Sequence, residues 1–108
     1  MQAACKQWFD YQFQPLKSML FAVPNGGQRG KREASIMKAE GVVAGVSDMI
    51  LLVARNGYGA LCIEFKTEKG RQSINQKMWQ QEAEKHGNKY VVVRSFYEFV
   101  KEITAYLA

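Results

Sequence analysis

Cysteine is scarce in this chain of 108 residues: two, Cys5 and Cys62, far apart and without a C-x-x-C pair. That excludes a disulfide framework and a Cys-type zinc site, and both read as reduced packing residues. There is a single histidine, His86, near the end of an expected helix, where capping or exposure to solvent explains it better than catalysis. The longest apolar run, Met49 to Ala54, is six residues, against the ~20 that a membrane helix requires. The first fifteen residues carry Lys6 and Asp10 and no apolar stretch ending in a cleavage site, so neither a membrane span nor a secretory leader is expected and the product is assigned to the cytoplasm. The glycines lack the G-K-[ST] ending of a phosphate loop, which argues against a nucleotide cofactor. Internal repeats and low-complexity tracts are absent.

What remains is one domain with a real core, since 47% of residues are apolar and 12% aromatic. The net charge of +5 favours polyanionic partners. It is unevenly placed, with basic flanks on either side of a neutral segment over 48–70 that holds three acidic and three basic residues. Such a layout suits carboxylates for a metal between cations for a phosphate backbone, and it equally suits simple solubility.

Helical spacing of Ala4, Trp8 and Tyr11 predicts a first helix over 2–14, limited by Pro15. Met19 to Val23 reads as a strand entering the Pro24-Asn25-Gly26-Gly27 turn, and a second helix, thin in apolar residues, is expected over 31–40 with Gly41 as its stop. Met49–Ala54 and Ala60–Lys66 form a hairpin around Asn56-Gly57. Ser73 and Gln76 match a capping box, opening a helix over 73–86 before Gly87. Tyr90–Arg94 is a strand, and Ser95-x-x-Glu98 opens a last helix with Phe96, Phe99, Val100, Ile103 and Leu107 on one stripe. The order predicts an α/β domain, a small mixed sheet flanked by helices.

Alternation along Cys62-Ile63-Glu64-Phe65-Lys66 puts Glu64 and Lys66 on one face of a strand. A three-residue turn, Asn56 to Tyr58, sets Asp48 opposite Lys66 and Ile50 opposite Glu64, so that all three charges share a face. A two-residue turn sends Asp48 to the other face, so the reading requires the odd loop or a bulge at Gly57 or Gly59. Two carboxylates ~5 Å apart repel by about 3 kcal/mol at an effective dielectric near 20. Lys66 offsets part of this, and a divalent cation bound by Asp48 and Glu64 offsets the rest; oxygen donors without His or Cys favour Mg²⁺ or Mn²⁺. The plainer alternative is an exposed Glu64–Lys66 ion pair, with Asp48 merely starting a strand.

The ordered set Gly41-Val-Val-Ala-Gly45-Val-Ser-Asp48, Cys62-Ile-Glu64-Phe-Lys66 and Gly70-Arg-Gln-Ser73-Ile-Asn-Gln76-Lys-Met-Trp79 resembles the virus-type replication and repair nuclease (VRR-NUC) domain of the PD-(D/E)xK superfamily. The likeness runs from Pro24-Asn25-Gly26-Gly27 to Ser95. It implies a restriction-endonuclease-like core, with Asp48 and Glu64 as metal-binding carboxylates and the Phe65 carbonyl as a further ligand. Lys66 becomes the catalytic lysine and Gln76 an active-site glutamine, a role that competes with its place in the capping box. Ser47 stands where the family has proline, and the acidic residue often found on the first helix has no convincing match in Gln2 or Asp10. Trp79 reads as core rather than as a base-stacking platform.

Arg29, Lys31 and Arg32 in the glycine-rich segment, with Lys69 and Arg71 after the site, are candidates for phosphate contacts, or plain solvated cations. The expectation is a Mg²⁺- or Mn²⁺-dependent endonuclease of branched DNA such as four-way junctions, working as a two-fold homodimer because one site cuts one strand. Its resemblance to stand-alone viral and bacterial members places it in a bacterial or phage-infected cell. The rival readings are a non-catalytic nucleic-acid-binding module of the same fold and a nuclease acting on RNA.

Overall fold

The first helix stops two residues short of the expected end at 14, where Phe13 leaves helical geometry ahead of Pro15. In the computed structural model, which describes residues 1–24, 36 and 38–108, helix α1 spans Gln2–Gln12. A 3₁₀ segment, Gln14–Met19, follows with Pro15 in its first turn. The strands are β1 (Leu20–Ala22), β2 (Met49–Leu51), β3 (Leu61–Phe65) and β4 (Lys89–Val93), and the later helices are α2 (Ile74–Lys85) and α3 (Phe96–Leu107). The helix expected over 31–40 lies largely outside the described residues. Its described end fits the expectation: the Glu40 N–H donates to the Ile36 carbonyl at 3.0 Å, and Gly41 adopts φ +103°.

The strands lie in the order β1-β2-β3-β4, antiparallel except for the parallel pair β3/β4. One face carries Leu20, Met49, Leu51, Leu61, Ile63 and Val93, which bury against Cys5 and Phe9 of α1 and Phe99, Ile103 and Tyr106 of α3. The other face carries Cys62 and Tyr90, covered by Ala83 and Trp79 of α2. Trp79 is thus a core residue, half-buried with its ring 6.0 Å from that of Tyr90. Cys5 and Cys62 are buried free thiols, and His86 is exposed at the end of α2.

The hairpin departs from expectation in register but not in face. Ile50 pairs with Cys62, not with Glu64, and the same register continued brings Asp48 opposite Glu64 rather than Lys66. The turn is the two-residue kind: Arg55 and Tyr58 exchange backbone hydrogen bonds of 3.1 and 2.9 Å, and Asn56 and Gly57 take φ +54° and +84°. Between turn and ladder, Leu52, Val53 and Ala54 stand against Gly59 and Ala60. The odd residue is therefore on the first arm, away from Gly57 and Gly59, and it restores the parity that returns Asp48 to the face of Glu64.

Candidate active site

Glu64 is the center of the arrangement. It sits on β3 facing α2 and is 1% exposed, an expensive place for a carboxylate. Its neighbours meet part of that cost. The Tyr90 hydroxyl, one strand away on β4, donates to Oε2 at 2.5 Å, and the Gln76 amide, from the first turn of α2, donates to Oε1 at 3.2 Å. Burial still pushes the Glu64 carboxyl above the ordinary carboxylate range; Tyr90 counteracts this, Asp48 adds to it through charge and hydrogen bonding, and the Lys66 cation draws it back. Tyr90 is in turn pushed well above the usual phenol range, by burial first and then by Glu64.

Asp48 enters from the segment before β2. Its Oδ2 accepts the Phe65 N–H at 2.7 Å, so the carboxylate is fixed against the β3 backbone beside Glu64. Ser47, in the family's proline position, is fully buried, and its hydroxyl donates to the Met49 carbonyl at 3.1 Å. Gly45 brings this segment onto α2: it holds φ +88°, and a Cβ there would overlap the Asn75 carbonyl. Asp48, Glu64 and Gln76 therefore come from three segments locked by backbone packing.

Gln76 completes the capping box and still reaches Glu64. Its Oε1 accepts the Ser73 N–H at 2.8 Å, while the Gln76 N–H donates to Ser73 Oγ at 3.2 Å, completing the capping box. That leaves Nε2 for Glu64. Lys66 follows directly on β3 and is half-buried, its N–H donating to the Val93 carbonyl at 3.0 Å. The chain thus brings together Asp48, Glu64, Phe65, Lys66 and Gln76. Lys69 and Arg71 are exposed beyond it, and Arg29, Lys31 and Arg32 lie outside the described residues.

Tyr90 was not legible as a site residue. A tyrosine in a short apolar strand reads as packing, and only the parallel register that sets Tyr90 beside Cys62 turns its hydroxyl onto Glu64.

The donor set fits a hard divalent cation. Asp48 disfavours the charge of buried Glu64, and both side chains offer oxygen donors, the kind that Mg²⁺ and Mn²⁺ prefer. Among the described residues no group of three or more His, Cys, Asp or Glu side chains is gathered, so the described carboxylate set stops at two.

A protein-family comparison matches the VRR-NUC domain over residues 2–97. The chain belongs to the VRR-NUC domain family. A solved structure described as a VRR_NUC domain protein is similar to it, with a TM-score of 0.85 and 28% identity over 98% of this chain and 84% of the other. Among curated proteins, no sequence matches significantly. VRR-NUC is a nuclease family, and the mixed sheet flanked by helices is its fold.

Proposed function

We propose that this VRR-NUC domain is a metal-dependent DNA endonuclease. The observation that carries the reading is the convergence of Asp48, Glu64 and Gln76, with Lys66 next to Glu64, on the α2 face of the sheet. Asp48, Glu64 and the Phe65 carbonyl would hold Mg²⁺ or Mn²⁺, which when bound makes a water more acidic and neutralises charge on the phosphoryl oxygens. Lys66 orients the attacking water or steadies the developing negative charge. Gln76 aligns Glu64 and is itself aligned by Ser73. Tyr90 holds the second carboxylate oxygen, and Lys69 and Arg71, joined by Arg29, Lys31 and Arg32, contact phosphates.

Branched DNA such as a four-way junction is the proposed substrate, cut by a two-fold homodimer, since one such centre breaks one strand and symmetric cutting needs two. The described carboxylate pair also suits a second reading, a binding module without turnover.

The test incubates the protein with labelled four-way junction, flap, linear duplex and single-stranded DNA and with RNA, in Mg²⁺, Mn²⁺ or EDTA. Metal-dependent cutting that falls by about 10²–10³-fold in Lys66→Ala is the expected result. DNA shifted but uncut in every metal would establish the binding module, and cutting confined to RNA would move the same chemistry to that substrate.

A further inference from the structure

Beside the carboxylate site, one side chain gathers the backbone of the segment that carries the exposed cations. Arg94 follows the last residue of β4. Its Nη1 donates to the carbonyls of Thr67 and Gly70, each at 2.7 Å, and to that of Glu68 at 3.3 Å. The turn is closed by the Gly70 N–H on the Thr67 carbonyl at 3.1 Å. A Cβ at Gly70 would lie 2.9 Å from Thr67 Oγ1, so the turn is also tightly packed.

Arg94 is itself held. Its N–H donates to Glu98 Oε2 at 2.8 Å, and the Glu98 N–H donates to Ser95 Oγ at 3.1 Å, which ties the residue to the cap of α3. At the far end of the segment, Gln72 Nε2 donates to Gln80 Oε1 at 2.9 Å and to the Tyr90 hydroxyl at 3.4 Å. Between these two anchors, Lys69 and Arg71 are exposed, and neither takes part in an ion pair among the described residues.

Carbonyl oxygens repel a phosphate, and here those of residues 67, 68 and 70 are drawn onto one guanidinium. What the segment then presents outward is Lys69 and Arg71 against the single carboxylate of Glu68, a net positive and already ordered surface, so a polyanion does not have to fix it on binding. We propose that Arg94 is a positioning residue that makes the Lys69–Arg71 segment a preformed contact for the phosphodiester backbone beside the carboxylate site. The proposal rests on the nucleic-acid reading above.

A salt series in EDTA, with binding to a short labelled duplex read by anisotropy, tests it. The proteins are the parent, Lys69→Ala/Arg71→Ala, Arg94→Ala, Arg94→Lys and the triple alanine variant, each checked by its melting temperature. Losing two phosphate contacts lowers the slope of log affinity against log salt by about 2. Arg94→Ala is expected to lose a comparable slope while touching no phosphate, and the triple variant to match the double within about two-fold. Arg94→Lys, still a cation with three donors, restores at least half. Arg94→Gln carries the same cycle should alanine lower the melting temperature. Parent-like binding by Arg94→Ala, or a loss that adds in full to the double variant, would overturn the proposal. Absence of binding by the parent itself would overturn the nucleic-acid reading together with it.

Discussion

At Glu64 the demands of chemistry and of folding oppose each other. The carboxyl is buried, and both its surroundings and Asp48 favour its neutral form, so its folded value lies above its unfolded one. Between those two values the native state binds more protons than the unfolded chain, and stability falls as pH rises from about 4.3, the ordinary glutamate value, through the raised one. Glu64→Gln keeps the shape and removes the titration. Thermal melts of metal-free protein should show the parent losing stability from pH 4 to 7 relative to Glu64→Gln, with ~1 kcal/mol corresponding to about 4–8 °C. Added Mn²⁺ should raise the melting temperature of the parent and leave the variant unmoved. A parent curve that parallels the variant would remove the electrostatic account of the site.

At the scale of elements, three local signals were read correctly because they are short-range chemistry: Pro15 ending α1, the Ser73/Gln76 box opening α2, and Asn56-Gly57 turning the hairpin. The register was not legible, because it depends on one odd residue in Leu52–Ala54 that no turn signal marks. The Ser95-x-x-Glu98 pattern also holds in altered form: Ser95 accepts from the Glu98 N–H, but the glutamate reaches back to the Arg94 N–H. Gly41 and Gly45 look alike in sequence and differ in space. Both have positive φ, but a Cβ meets nothing within 4 Å at Gly41 and meets the Asn75 backbone at Gly45. Gly41→Ala should therefore cost about 1–2 kcal/mol in denaturant unfolding, the strain of the left-handed backbone alone. Gly45→Ala should cost clearly more and abolish cleavage, since it pushes Asp48 and Gln76 apart; equal costs would refute the packing argument.

For the whole molecule, the two faces of the sheet are unequal. The α1/α3 side buries Phe9, Phe99, Ile103 and Tyr106 against six strand side chains, whereas α2 packs only Ala83 and the half-buried Trp79 on Cys62 and Tyr90, with Val92 at the margin. Local opening follows buried apolar contact, so α2, which carries Gln76, should be the least stable of these elements. Hydrogen exchange is expected to show α2 amides exchanging at least about ten-fold faster than those of β3 and α3, a gap of about 1.4 kcal/mol. Added metal should slow exchange in the first turn of α2, where Gln76 is tied to Glu64. Uniform protection across the three elements would contradict this division.

By itself the sequence determined what local chemistry can determine: the main element types among the described residues, the amphipathic stripe of α3, the placement of Glu64 on a strand with Lys66 just past its end, and motifs specific enough to point to the family. The tertiary structure alone decided that Asp48 stands opposite Glu64, that Gln76 serves Ser73 and Glu64 at once, and that β4 supplies Tyr90 to the carboxylate and leads into Arg94. The reason is physical. Hydrogen bonds within a few residues are encoded by spacing, whereas these contacts depend on a strand register and a parallel pairing between segments up to 27 residues apart, which only the packed sheet fixes.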